Sequence, residues 1–261
     1  MEFLRTIRKR SFLSESVYIA LNLALAIAVL IIVRTVESPV PALVLILLSK
    51  WRVFAVRPRY WIANIQANLV DVIVSVSAVI LMYSVVSLPY AFALQSAIVV
   101  LYAAWLIGLK PRSSKRAVVS QAAVALAVGV TVLFVSSYGW PLELTVVGMA
   151  IVGYVTARHT LTQFEEDHLQ FMSLAWAFVM AQFGWILSHW VVAYTLPIVE
   201  MRIPQALFIV MAVAFVAYKV YASYRKHGLV RSTDVLLPIV FSVALISILS
   251  GFFSTIPAGT L

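Results

Sequence analysis

The stretch WIANIQANLVDVIVSVSAVILMYSVVSLPY, residues 61–90, decides the fold because it joins a polar half to a long apolar half. From residue 69 to residue 88 it is mostly apolar, interrupted by Asp71 and scattered serines. About 20 predominantly apolar residues cross the roughly 30 Å hydrocarbon layer of a bilayer as a helix. Backbone amides in lipid need partners within their own segment, so a helix is the expected conformation. The stretch therefore predicts a membrane span that ends at the turn SLPY, residues 87–90.

The composition of the whole chain points the same way. Hydrophobic residues make up 63% of the 261 positions and charged residues only 11%, whereas a soluble domain has about 25% charged residues. So few charges cannot form a polar shell, and lipid must be the main solvent. The chain has no cysteine, which excludes disulfides, thiolate metal sites and thiol catalysis.

Apolar runs of suitable length recur along the chain, separated by short loops that contain Pro, Gly or charges. We predict a single all-α integral membrane domain, residues 1–261, built as a polytopic transmembrane helix bundle of about nine spans after a short basic segment, 1–15. The predicted spans are 16–35, 40–56, 67–88, 90–109, 117–136, 141–157, 170–196, 204–222 and 234–253. The second is the weakest, because Lys50 and Arg52 interrupt it.

The positions of the basic residues predict the orientation. With the N-terminus in the cytoplasm, nine spans place all of the 19 Lys and Arg residues on the cytoplasmic side except Arg34 and Arg202, as the positive-inside rule requires. The C-terminus is then outside. We expect a multi-pass protein of the cell membrane whose cytoplasmic face attracts anionic headgroups. The net charge of +9 is thereby explained without nucleic acid as a partner.

The first candidate site is an inner-leaflet polar site on the third span. Asn64, Asn68, Asp71 and Ser75 are spaced by four, three and four residues, so they share one helix face. In one interpretation the asparagines tie helices together and Asp71 pairs with a nearby cation, for which Lys219 on the eighth span is a candidate. In the other, Asp71 is a functional acid, as intramembrane carboxylates often are.

The seventh span predicts a second, intramembrane polar site. Gln182 and His189 are seven residues apart and share a helix face, with Trp185 beside them. A histidine in such a position can relay protons or bind a ligand. The alternative is an interhelical hydrogen bond, worth about 0.6 kcal/mol in membranes, with the tryptophan serving as packing.

An acidic cytoplasmic cluster precedes that span and contains Glu165, Glu166, Asp167 and His168. Carboxylates and imidazoles are metal ligands, and residues 165 and 168 would meet on a helix. However, no H-E-x-x-H motif is present. We predict no metal and no cofactor, and interpret the cluster as a solvated helix start or an acidic contact surface.

These patterns leave three classes of function open. The sparse central polarity and the short loops favour a non-catalytic membrane scaffold, assembly factor or accessory component with membrane-protein partners. A transporter or channel for a small solute or lipid is the alternative, and it requires Gln182, His189 and Asp71 to line one cavity. A membrane enzyme acting at the inner headgroup layer is the second alternative, and it requires side chains among Glu165, Glu166, His168 and Asp71 to converge near the inner headgroups.

Overall fold

The computed structural model describes residues 12–136, 140–189, 192–196, 198 and 200–252, so most of the predicted basic segment 1–15 lies outside the described residues. The described chain is a bundle of α-helices, which confirms the predicted fold class. The helices are α1 (Phe12–Thr35), α2 (Val40–Ser49), α3 (Trp61–Ser84), α4 (Ala91–Ala104), α5 (Lys115–Ser136), α6 (Leu142–Leu161), α7 (Leu169–Ser188), α8 (Gln205–His227) and α9 (Ser232–Phe252).

Eight helices in the described part of the chain, all except α2, belong to segments long and apolar enough to cross a membrane. The prediction of a full-length second span over 40–56 is wrong. Helix α2 has ten residues, about 15 Å of helix, and two short 3-10 helices follow it at Trp51–Phe54 and Pro58–Tyr60. The apolar run ends at Lys50. Because charged side chains are costly in hydrocarbon, a membrane-crossing helix is not expected to continue through Lys50 and Arg52.

The helices alternate in direction between two ends of the bundle. We call one of them the basic end, because Lys50, Lys110 and Arg225 lie there. At this end the Tyr18 hydroxyl donates a hydrogen bond of 2.9 Å to the Leu106 carbonyl, which places the start of α1 beside the end of the α4 segment. Further contacts there join the start of α5 to the end of α6, and the end of α8 to the loop after α6.

Contacts at the opposite end complete the alternation. The Tyr83 hydroxyl, near the end of α3, donates a hydrogen bond of 2.9 Å to the Val36 carbonyl, just after α1. The Gln205 amide, at the start of α8, donates a hydrogen bond of 2.7 Å to the Leu249 carbonyl, near the end of α9. The chain between α1 and α3 must therefore run the length of the bundle, and short α2 is one of its alternating segments.

The closest packing joins α6 and α7 through two reciprocal glycine–methionine contacts. Met180 of α7 lies against Gly153 of α6, where an added Cβ would come within 2.5 Å of the methionine Cγ. Met149 of α6 lies against Gly184 of α7, where an added Cβ would come within 3.0 Å. Small residues let membrane helices approach closely, so these two glycines position the two backbones.

Helix α7 ends earlier than predicted. The predicted span 170–196 is helical only as far as Ser188, and Ala193–Thr195 instead pairs antiparallel with Arg202–Pro204 as a two-stranded hairpin. Tyr194 lies opposite Ile203, and aromatic and β-branched residues favour such cross-strand pairs. Within this apolar segment, Ala193–Thr195 is therefore a strand and not the predicted helix.

Candidate functional sites

Asp71 lies at the centre of a buried polar cluster. Lys50 and Lys110 both form ion pairs with its Oδ2, the second at 2.8 Å. The Trp105 indole N–H donates a hydrogen bond of 3.0 Å to Oδ1, and the Lys50 ammonium also donates one of 3.0 Å to the Ser75 hydroxyl. We call these five residues the Asp71 cluster. It brings a carboxylate and two ammonium groups together inside the bundle.

Two helix features position this cluster. Lys50 directly follows the last residue of α2, where a cation complements the negative end of the helix dipole. The α4 segment ends in a π-helical turn, Trp105–Leu109, which directs both Trp105 and Lys110 toward α3. Such π turns are rare and often occur at functional sites.

Burial and charge define what the Asp71 cluster can do. The side chains of Asp71 and Lys50 are only 7% and 10% exposed, whereas that of Lys110 is 30% exposed. Both carboxylate oxygens of Asp71 already accept bonds from protein groups. The cluster therefore supports the interpretation that Asp71 ties helices together by pairing with nearby cations.

The predicted pairing of Asp71 with Lys219 is wrong. Lys219 lies on α8, where its ammonium sits 5.6 Å from the centroid of the Phe215 ring. The actual partners, Lys50 and Lys110, lie at the basic end of the bundle. Hydropathy could not select them, because the choice depends on which helices pack against α3.

Asn64 binds the chain that precedes α3, whereas Asn68 bonds within the helix. The Asn64 amide donates a hydrogen bond of 2.6 Å to the Val53 carbonyl, and the Asn68 amide donates one of 2.8 Å to the carbonyl of Asn64. The first of these bonds holds the segment after α2 against the first turns of α3. These side chains thus serve local structure on the first turns of α3, which begins at Trp61 and extends beyond the predicted span 67–88.

The predicted intramembrane site does not form inside the bundle. Gln182, Trp185 and His189 share one face of α7, as predicted, but all three are exposed and Trp185 is 54% exposed. The His189 ring packs on that of Trp185, with 4.9 Å between centroids, and its Nδ1 lies 2.7 Å from the Trp185 carbonyl. Helical spacing predicted a shared face correctly, but it does not tell whether a face points inward.

The acidic cluster stays together only in part, through a hydrogen bond of 3.3 Å that the His168 backbone N–H donates to Glu166 Oε1. Glu166 accepts a hydrogen bond from the Tyr221 hydroxyl and lies 3.6 Å from Arg225, whereas Glu165, Asp167 and His168 are exposed. Glu165 has a left-handed backbone, with φ of 52°, and α7 begins only at Leu169. The prediction that residues 165 and 168 meet on a helix is therefore wrong. Among the described residues, no group of three or more His, Asp or Glu is placed to hold a metal.

Glu166 gives the acidic loop a measurable pH dependence. The hydrogen bond from Tyr221, helped by nearby Arg225, lowers the pKa of the Glu166 carboxyl below its ordinary value of 4.5. Its contribution to stability is present above the unfolded-state pKa and is lost as pH falls through the lower folded-state pKa.

We therefore expect the melting temperature of the wild type in detergent to fall more steeply than that of Glu166→Gln between about pH 5 and pH 3. Circular dichroism at successive pH values measures this difference. Glu165→Gln is the matched control, because Glu165 is exposed, and it should keep the wild-type slope. Equal slopes for the wild type and Glu166→Gln would contradict the pairing with Tyr221.

A crevice of about 390 Å³ separates α7 from α8 in the basic-end half of the bundle. Helix α7 packs on α6, whereas α8 packs on α5 and α9. Residues of α5 and α6 line the bottom of the crevice between them. Small and apolar side chains dominate the lining, which includes Ala122, Thr156, Ala157, Trp176, Ala217 and Tyr218. Sequence analysis missed this crevice, because alanines spread over four helices make no recognisable motif.

Comparison with known proteins gives no information on function, so a functional proposal rests on the sites described above. No protein-family model, no curated protein and no solved structure matches this chain.

Proposed function

We propose that this chain is a non-catalytic membrane component that assembles with another membrane protein through the outer face of α7. We define the α7 outer face by its exposed side chains Phe171, Leu174, Phe178, Gln182 and Trp185. The observation that carries the proposal is the Gln182 amide. It is exposed in an otherwise apolar stripe, and it makes no hydrogen bond to any described residue.

An amide facing lipid tails is unfavourable. Transfer of such a group from water to a medium without hydrogen-bonding partners costs about 4–8 kcal/mol. Residue 182 lies six residues before the end of α7 at Ser188, about 9 Å along the helix, so headgroups do not readily solvate it. A polar side chain on a partner helix supplies the missing hydrogen bonds, and the aromatic neighbours supply packing area.

The other two classes of function receive less support. A transporter was expected to line one cavity with Gln182, His189 and Asp71, but the first two are exposed on α7 and the third is buried. An enzyme was expected to bring side chains among Glu165, Glu166, His168 and Asp71 together near the inner headgroups. Glu166 instead binds Tyr221 and Arg225, while Asp71 binds Lys50 and Lys110.

For the cellular setting we propose that the basic end faces the cytosol and that the membrane is the cell membrane. The support is the distribution of Lys and Arg, which favour cytoplasmic loops. Cations at that end would attract anionic headgroups by about 1 kcal/mol each near the surface.

A cross-linking experiment tests the α7 outer face. Because the natural chain has no cysteine, Phe178→Cys provides a single attachment point for a photoreactive maleimide in native membranes. We expect one defined adduct with another membrane protein. Adding Gln182→Leu should reduce its yield about three- to fifteen-fold, the range that one interhelical hydrogen bond supports.

The matched control is Leu237→Cys on α9, where Leu237 is 76% exposed. This position should give no such adduct, and Gln182→Leu should not alter its labelling. The proposal fails if both positions label the same proteins, if Gln182→Leu leaves the Phe178→Cys adduct unchanged, or if the adduct contains only a second copy of this chain.

A further inference from the structure

The loop between α6 and α7 is fastened to α8 by polar contacts. We call residues 162–168 of this loop the strap. Glu166 accepts the hydrogen bond of the Tyr221 hydroxyl and lies 3.6 Å from Arg225. The Arg225 guanidinium in turn donates a hydrogen bond to the Phe164 carbonyl. The strap is therefore bonded to the helix on the far side of the crevice, and not only to the two helices that it connects.

Aromatic contacts of the strap lie at the basic end of the crevice. The Phe164 ring packs against those of Tyr218 and Tyr221, with 6.3 Å and 5.1 Å between centroids. Both tyrosines line the crevice. The lining also includes Leu161, which directly precedes the strap, and Met172 in the first turn of α7. The strap thus crosses the crevice at the end where α6 leads into α7.

Backbone strain marks the middle of the strap. The left-handed backbone of Glu165, with φ of 52°, is unfavourable for a residue that has a Cβ. The side chain of Glu165 is exposed, so this conformation is held by the neighbours Phe164 and Glu166, which both contact α8. Strained residues persist where the surrounding structure holds them, and they are common in switch regions. Loss of the contacts to α8 lets the strap relax away from the crevice.

We propose that the strap is a gate that closes the basic end of the crevice, and that loss of its contacts to α8 opens the crevice to water. Helix α8 packs on α5 and α9, so at this end the strap is the connection between α7 and α8 that can open. No charged side chain lines the crevice among the described residues. The charged groups of the gate, Glu166 and Arg225, face each other instead. This role is additional to assembly through the α7 outer face.

Labelling of a thiol inside the crevice tests the gate. Ala217 lines the crevice, and the natural chain has no cysteine, so Ala217→Cys gives the full-length chain a single thiol in nanodiscs. A sulfonated maleimide stays out of the bilayer and measures access from water, because the thiolate is the reacting form. We expect Glu166→Ala to raise the labelling rate at least about tenfold, the factor that one hydrogen bond to a charged group supports. Glu165→Ala, at an exposed acid of the same strap, is the matched control and should leave the rate unchanged.

A second variant opens the gate without removing a charge. Phe164→Ala removes the ring contacts with the two tyrosines and should also raise the labelling rate of Ala217→Cys. Leu237→Cys, on the exposed face of α9, reports unfolding and should stay slowly labelled in both gate variants. The proposal is overturned if neither variant speeds labelling of Ala217→Cys, or if Leu237→Cys speeds up equally. Neither result depends on a partner protein, so failure here is distinct from failure of the proposed assembly role.

Discussion

Asp71→Leu should destabilise the protein more than any other single substitution of a charged residue in the described bundle. It leaves the ammonium groups of Lys50 and Lys110 without their shared carboxylate, and Lys50 is only 10% exposed. Removing one member of a buried ion pair typically costs about 3–5 kcal/mol, because the remaining charge is buried and uncompensated. The free energy of unfolding in mixed detergent micelles, followed by loss of helicity, measures the effect.

A triple variant separates charge compensation from shape. Lys50→Met, Asp71→Leu and Lys110→Met together remove every charge of the Asp71 cluster, and apolar replacements of buried ion pairs are often neutral or stabilising. We expect the triple variant to recover most of the stability that Asp71→Leu loses. Glu143→Leu, at an exposed acid of α6, is the control and should change little. A triple variant no more stable than Asp71→Leu would show that the cluster does not act through charge.

Gly153→Val should weaken the packing of α6 on α7 and lower the stability of the protein. A Cβ at this position would lie 2.5 Å from Met180 Cγ and 2.6 Å from Met180 Cβ, so the methionine cannot simply swing its tip away. Overpacking of this kind costs about 1–3 kcal/mol. The free energy of unfolding should fall by that amount, and Gly184→Val should behave alike, because its Cβ would lie 3.2 Å from the Val146 backbone.

The matched control is Gly251→Val. An added Cβ there meets nothing within 4 Å, although Gly251 also lies in a helix. Its stability should stay close to that of the wild type. Equal losses at positions 153 and 251 would mean that helix propensity, and not the contact with Met180, determines the effect.

Hydropathy gave the correct class of fold and eight correct spans of the nine predicted, among the described residues, because bilayer thickness sets a length that can be counted along the chain. It did not predict where a segment stops being helical. Residues 40–56 and 170–196 were both predicted as spans. The first is an α-helix only to Ser49 and continues as short 3-10 helices. The second is helical only to Ser188. Helix α2 ends where Lys50 and Arg52 follow it, and helix α7 ends before a segment that pairs as a strand.

The sites were harder to predict, because they depend on which faces meet. The spacing of Gln182 and His189 correctly gave a common face, but the face points outward. Asp71 was expected to pair with a cation, and it does, but with Lys50 and Lys110. Their selection follows from the abrupt end of α2 and from the π turn before Lys110. A single sequence carries no clear signal for that turn.

The shortness of α2 has a consequence for the surrounding bilayer. Helix α2, which exposes Val44, Leu47 and Leu48, is only about 15 Å long, half the usual hydrocarbon thickness. Neighbouring acyl chains must shorten or tilt to match it, at fractions of a kcal/mol per ångström of mismatch. We therefore expect the bilayer to be locally thinner beside α2. Thin membranes then accommodate this flank with less deformation than thick, sterol-rich ones.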